Sequence, residues 1–230
     1  MAPDLEKRLR HLSILLTLVA GFCDTVTFVA ADSLFSAHVT GNFIVFAYDV
    51  LHHVDSHAWT KLVSFPVFVA AVAAGRWVGG RAQNRYAVLL WEGGLLLAAG
   101  LLALAGPGAL RQVAAMLVVF AMGLQNAFGR LYAKETYGPT TVMTGNVTQA
   151  TLDALGLMAH PSPEPAAALR KQGLVIGAFL TGCLLGAVAA RWGGLAVVGL
   201  PGLLLPLRVL GYHRQARQQA ATNLTVTITA

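Results

Sequence analysis

Long apolar stretches constrain this chain more than any other feature of its sequence. Apolar residues fill 56% of its 230 positions and charged residues only 11%, whereas an ordinary soluble domain carries about 25% charged residues. A helix needs roughly 20 mostly apolar residues to cross a bilayer. The composition therefore excludes a soluble globular domain and predicts an all-α, polytopic membrane bundle, with residues 1–230 forming a single transmembrane domain.

Hydropathy separates strong spans from two weaker segments. The strong spans cover residues 11–31, 62–80, 86–105, 112–133, 173–190 and 193–210. Segment 39–51 is short, since about 13 helical residues cover about 20 Å of a roughly 30 Å core. Segment 143–157 is richer in Thr and Gln. We therefore expect six full spans and two partial or short helices, followed by a cytoplasmic tail over 212–230.

The distribution of the 16 Lys and Arg residues favours this count. These cations accumulate on the cytoplasmic side of membrane proteins. With six spans, only Lys61, Arg111 and Arg191 lie outside, and both termini are cytoplasmic. With eight spans, the cations divide much less unevenly. Because the net charge of +6 comes from these short clusters, we expect no nucleic-acid partner.

The chain repeats its unusual residues in the same order, which indicates an internal duplication. Repeat one covers 11–105 and repeat two covers 112–210, each with three full spans. An odd number of spans predicts that the second copy enters the membrane from the opposite side, as an inverted repeat. The matching blocks are Gly21-Phe-Cys-Asp24 with Gly123-Leu-Gln-Asn126, Thr40-Gly-Asn42 with Thr144-Gly-Asn146, and Ala71 to Trp77 with Ala187 to Trp192.

These blocks also carry a resemblance to a known family. The AGFCD and HVTGN segments of the first half, paired with GLQNAFGR, TTVMTGN and Thr148 of the second, resemble the YoaK family of bacterial membrane proteins over about residues 10–210. The resemblance implies a small multi-pass protein of the bacterial inner membrane. That family has no established substrate or mechanism, so the function has to be argued from the residues.

Inverted repeats point to transport. Many secondary transporters bind substrate near the midplane, where the repeats meet and helices are broken. The two Thr-Gly-Asn motifs are expected to begin the partial helices, whose free N–H groups favour anions. Tight helix packing through the same small and polar residues is the competing interpretation. The candidate substrate-binding residues are Thr40, Gly41, Asn42, Asn126, Arg130, Thr144, Gly145 and Asn146.

Ionisable residues inside spans cost about 2.5 to 3.5 kcal/mol on insertion scales, so each is a functional hypothesis. Asp24 and Glu92 are the candidates for proton coupling, and His38 adds a group that titrates near neutral pH. A hydrogen bond or ion pair between helices is the alternative role. Arg130 is expected to bind an anionic substrate, to pair with Asp24 or to anchor the end of its span. Asp49 is expected at the membrane interface.

Other classes of function remain in competition. A passive channel and a non-catalytic assembly subunit would show the same repeat. An intramembrane enzyme would have to use Cys23, Asp24 and His38, but no base is placed beside a nucleophile, so we expect neither enzymatic activity nor a cofactor. The histidines of segment 52–57 lack further ligands, so no metal is expected. The expected partners are the lipid bilayer, a small-molecule or ion substrate, and a second copy in a homodimer.

Overall fold

A computed structural model describes residues 3–52, 58–82, 84, 86–106, 108–137, 140–141, 143–159 and 163–211. All regular structure in these ranges is helical, which confirms the all-α prediction. Short 3₁₀ segments cover Ala133–Glu135 and Gly194–Val198. The helices are α1 (Pro3–Ala30), α2 (Gly41–His52), α3 (Trp59–Arg81), α4 (Ala87–Ala105), α5 (Ala109–Leu131), α6 (Met143–Ala159), α7 (Pro163–Gly193) and α8 (199–211).

Five stretches of the described chain are long and apolar enough to cross a membrane. They are Glu6–Ala30, Trp59–Arg81, Ala87–Ala105, Ala109–Leu131 and Pro165–Gly211. The last has 47 residues, more than one crossing of a roughly 30 Å core needs, and it contains the 3₁₀ segment between α7 and α8. The two weaker segments form α2 and α6, and neither is among the five. A count of six full spans stays a prediction.

The tryptophans mark helix ends. All four are exposed, by between 58% and 83%. Trp59 and Trp77 lie about 27 Å apart along α3 at 1.5 Å per residue, close to the thickness of a hydrocarbon core. Tryptophan concentrates at membrane–water interfaces. The exposed apolar surface between these positions is therefore the surface expected of a protein in lipid.

Glycines allow the long helices to touch. A Cβ added at Gly75 of α3 would lie 2.6 Å from the Cβ of Ala127 in α5, and one added at Gly123 would lie 2.6 Å from the Cβ of Ala71. Gly182 and Gly186 of α7 meet the backbone of α1 in the same way. Membrane helices gain their packing energy from such close approaches, because lipid supplies no hydrophobic drive between them.

These contacts also show the helix directions. Gly182 lies against Leu18 and Gly186 against Phe22, so α1 and α7 run parallel. The Gly75–Ala127 and Gly123–Ala71 contacts make α3 and α5 parallel as well. Gly93 meets Pro206 and Gly100 meets Gly199, so α4 and α8 run antiparallel. Helix α7 thus packs on α1, and helix α3 packs on α5.

Two hydrogen bonds show how α5 lies against α1. The Gln125 side chain of α5 donates to the Leu16 carbonyl of α1 at 2.9 Å, and the backbone N–H of Tyr137, beyond the end of α5, donates to Ser13 Oγ at 2.7 Å. The residue later in the chain, Tyr137, therefore meets the earlier residue of α1. The first helices of the two repeats are antiparallel.

The buried apolar residues form two clusters stacked along the bundle. The first cluster includes Val19 and Cys23 of α1, Leu96 of α4 and Met122 of α5. The second cluster lies nearer the start of α1 and is built from residues of α1, α4, α5 and α8. Its buried members include Leu12, Leu16, Leu89, Leu124, Phe128 and Leu205.

Candidate functional site

Asp24 holds the chain that follows α1 against the helix itself. Its Oδ1 accepts the backbone N–H groups of Ala37 at 2.7 Å and His38 at 3.4 Å. Asp24 precedes the end of α1 at Ala30 by about 9 Å of helix. Residues 31–40 therefore turn back into the bundle instead of leaving it. As a result, α2 begins beside the interior of α1.

The same carboxylate binds the His38 side chain. A hydrogen bond joins His38 Nδ1 and Asp24 Oδ2 at 2.7 Å. Asp24 is buried, whereas the His38 side chain is 36% exposed and meets the ring of Phe179 edge-on at 5.5 Å. The bond to Asp24 raises the pKa of His38 above its ordinary value, and partial burial opposes that rise. The sequence analysis identifies Asp24 and His38 as separate candidates, and the structure places their side chains in contact.

Asn42 closes the loop in front of α2. Its Nδ2 donates to the Phe35 carbonyl and to Ser64 Oγ, each at 2.8 Å, and its Oδ1 accepts the Phe35 backbone N–H at 2.8 Å. The buried amide is thus fully engaged by its own loop and by α3. Thr40 is exposed and Gly41 packs against the Phe35 ring. The first Thr-Gly-Asn motif begins the partial helix, as predicted.

A buried ion pair fastens the far end of α2 to α3. Lys61 Nζ lies 2.9 Å from Asp49 Oδ2, with side chains 1% and 8% exposed. The sequence analysis uses Lys61 only as a cation on the external side of the membrane. It identifies no partner for Asp49. The pairing depends on how α2 lies along α3. Sequence spacing alone does not reveal it.

The second repeat builds the same turn with different chemistry. Asn126, which takes the place of Asp24, donates from Nδ2 to Thr141 Oγ1 at 2.6 Å. Gln125 donates to Thr140 Oγ1 at 2.9 Å. The chain before the second Thr-Gly-Asn motif is therefore held by amide–hydroxyl bonds, whereas the first is held by a carboxylate and an imidazole. Thr140 and Thr141 are site residues that the sequence analysis misses, although both lie within four residues of the motif.

The second motif also differs in its own residues. Thr144 and Gly145 are exposed at the start of α6, and Asn146 is buried. Asp153, the counterpart of Asp49, accepts a hydrogen bond from Gln149 of the same helix at 2.9 Å. No lysine or arginine pairs with Asp153 in the described part of the chain.

Glu92 and Arg130 lie apart from these turns. Glu92 is completely buried in α4, close enough to Cys23 to act on it electrostatically. Arg130 is exposed in the last turn of α5. The pairing of α5 with α1 puts Arg130 level with the start of α1, about 20 Å along the bundle from Asp24. The structure therefore does not pair Arg130 with Asp24.

Two predictions concern residues that the structure does not describe. Positions 53–57, which hold most of the histidine cluster, and the tail from 212 onward lie outside the described residues. His52 is described, and its Nδ1 lies 2.9 Å from the Tyr48 carbonyl oxygen. Among the described residues, no three His, Cys, Asp or Glu side chains are grouped as metal ligands.

Comparison with known proteins gives one match. A family profile described as "Protein of unknown function (DUF1275)" matches residues 12–210. No curated protein and no solved structure matches the chain.

Proposed function

The chain belongs to the DUF1275 family, whose description carries no function, and we propose from its residues that it is a secondary transporter of a small solute. The observation that carries the proposal is the pair of turns held by Asp24 and Asn126, which start α2 and α6 beside the interior of the bundle. Broken helices of this kind surround the midplane sites of many transporters. The resemblance to the YoaK family and a bacterial inner-membrane location are part of the same proposal.

Helix direction supports an inverted repeat with six spans. If the second repeat enters from the opposite side, equivalent helices of the two repeats run antiparallel. The α1–α5 and α4–α8 pairs both do so. An eight-span chain, in which α2 and α6 also cross, would make both pairs parallel. We propose accordingly that α2 and α6 do not cross the membrane, so that each segment leaves the membrane on the side from which it entered. Both termini are then cytoplasmic.

The proposed substrate site is formed at the starts of the two partial helices. Thr40 and Gly41 begin α2, and Thr144 and Gly145 occupy the equivalent place in α6. The exposed hydroxyls of Thr40 and Thr144 are the groups proposed to bind a polar or anionic solute, and the positive end of each helix dipole favours an anion there. The first N–H groups of α2 already donate to the carbonyls of residues 38–40. Asn42 and Asn126 hold these turns through side-chain hydrogen bonds, and Asn146 is buried behind the second motif. Arg130, at the far end of α5, attracts an anionic solute to the mouth of the pathway.

Proton coupling is proposed for the turn of the first repeat. A proton taken up by Asp24 would remove the charge that holds His38 and the two backbone N–H groups. That change weakens the attachment of residues 36–38, so the first repeat can open in response to pH while the second cannot. Glu92 is the second candidate acid for coupling.

The test is solute-driven proton movement in proteoliposomes that contain a pH-sensitive dye. Amino acids, carboxylates, purines and sugars are added in turn under an imposed pH gradient. We expect one class to accelerate proton entry, and Asp24→Asn to abolish that acceleration. Asp153→Asn, which changes a half-buried acid of α6, is the matched control and should behave as the wild type.

Three outcomes contradict parts of the proposal. A pH-dependent flux that survives Asp24→Asn and Glu92→Gln together refutes the coupling assignment. A flux that never accumulates solute against its gradient identifies a passive channel. Absence of any flux, with replacement of both Thr-Gly-Asn motifs altering only complex formation, identifies an assembly subunit.

A further inference from the structure

A layer of buried polar side chains separates the two apolar clusters of the bundle. Thr17 of α1, Glu92 of α4 and Gln125 of α5 are all 0% exposed. On α1 and α4 the layer residue lies between a member of the second cluster and a member of the first, and Gln125 of α5 lies beside Leu124 at the edge of the second cluster. The flanking pairs are Leu16 and Val19 on α1 and Leu89 and Leu96 on α4.

The layer contains oxygen atoms that have no partner. Thr17 Oγ1, both Glu92 carboxyl oxygens and Gln125 Oε1 are buried and make no hydrogen bond within the described residues. The orientation of the Gln125 amide follows from its contacts, because Nε2 donates to the Leu16 carbonyl, which can only accept. Buried polar groups in proteins are almost always satisfied, so these oxygens indicate a missing ligand.

The three residues lie within two turns of one another along the bundle. The bond from Gln125 to Leu16 places the amide against the turn of α1 that carries Thr17. Helices α4 and α5 are joined by a short loop and pack together, which puts Glu92 level with Met122, one turn from Gln125. Glu92 also acts on Cys23, less than two turns beyond Thr17. The separation of the three residues along the bundle axis is therefore one to two turns.

The chemistry of these atoms selects a cation. A proton on Glu92 would provide one donor and leave the other oxygens unsatisfied, whereas a metal ion can satisfy several oxygens at once. Carboxylate, amide and hydroxyl oxygens are ligands for hard cations. One carboxylate supplies one negative charge, since Asp24 is already engaged by His38 and the loop. We infer that Thr17, Glu92 and Gln125 bind a sodium ion in the centre of the bundle.

This inference goes beyond the proposed function, because the ion can bind whether or not the chain transports a solute. Combined with transport, it makes sodium the ion coupled through Glu92 and leaves the proton to Asp24 and His38. A sodium ion bound to the folded protein stabilises it in proportion to the logarithm of its concentration above the dissociation constant. Binding is therefore measurable without any flux.

The experiment is thermal unfolding of the purified full-length protein in detergent. Sodium chloride replaces choline chloride at constant ionic strength, with potassium chloride as a second comparison. We expect the unfolding midpoint to rise with sodium and to follow the logarithm of its concentration above the dissociation constant. Glu92→Gln, which keeps the side-chain size, should shift the response at least about tenfold in concentration, equivalent to about 1.4 kcal/mol. Asp24→Asn is the matched control, since it removes a buried acid outside the layer and should keep the sodium response.

Direct binding of radioactive sodium to the wild type and to Thr17→Val supplies a second measurement if Glu92→Gln does not fold. We expect saturable binding to the wild type and weaker binding to the variant. An unfolding midpoint that is the same in sodium, potassium and choline overturns the inference, as does an unchanged sodium response in Glu92→Gln. A failure of solute transport leaves these binding results unaffected, so the two proposals can fail separately.

Discussion

Removing the cation of the buried Asp49–Lys61 pair should destabilise the protein strongly. The two charged atoms are 2.9 Å apart and the side chains are 8% and 1% exposed, so water cannot compensate a lone partner. Breaking a buried pair from one side costs about 3 to 5 kcal/mol, whereas replacing both partners with apolar residues is often neutral or stabilising. We expect Lys61→Met to lose about 3 to 5 kcal/mol and Asp49→Leu with Lys61→Met to recover most of that loss.

The measurement is reversible unfolding in mixed micelles, followed by circular dichroism, for the two single variants and the double variant. The coupling energy of this cycle isolates the pair from other contacts of each side chain. Asp153→Leu, which changes a half-buried acid that forms no ion pair among the described residues, should change the free energy of unfolding by less than about 0.5 kcal/mol. Single variants that each lose less than about 0.5 kcal/mol, or a double variant that loses the sum of both singles, would refute the reasoning.

Three further predictions address the turn, the helix crossings and the topology. The raised pKa of His38 means that its carboxylate contact stabilises the fold fully below its ordinary pKa of about 6.5, and that this contribution is lost as pH rises through the raised value. His38→Gln should remove that part of the pH dependence of the unfolding midpoint, and an unchanged profile would contradict the assignment. Gly123→Ala should cost about 1 to 3 kcal/mol by overpacking, measured by the same unfolding assay, while Gly156→Ala, with nothing near the added Cβ, should show no such loss. Single cysteines in 52–57 and in 161–165, on a cysteine-free background, should react with impermeant probes from opposite sides of the membrane, and reaction from one side would exclude the inverted repeat.

Several features of the fold are predictable because they depend on local or summed properties of the chain. The length of each apolar stretch determines whether a helix can cross lipid, and the five candidate spans follow from that length. The Thr-Gly-Asn motifs mark where the partial helices begin, since α2 starts at Gly41 and α6 at Met143. The assignment of substrate-binding and coupling residues stays a prediction.

The tertiary structure decides which polar groups meet. Asp24 with His38, Asp49 with Lys61 and Gln125 with Leu16 join different parts of the chain, and each contact depends on the rotation and register of packed helices. Hydropathy does not predict that register, because a helix surrounded by lipid and protein is apolar on every face. Glycine contacts such as Gly75 with Ala127 fix it by shape. The sequence by itself therefore determines the long apolar helices and predicts the duplication, while close packing determines where the buried charges find partners.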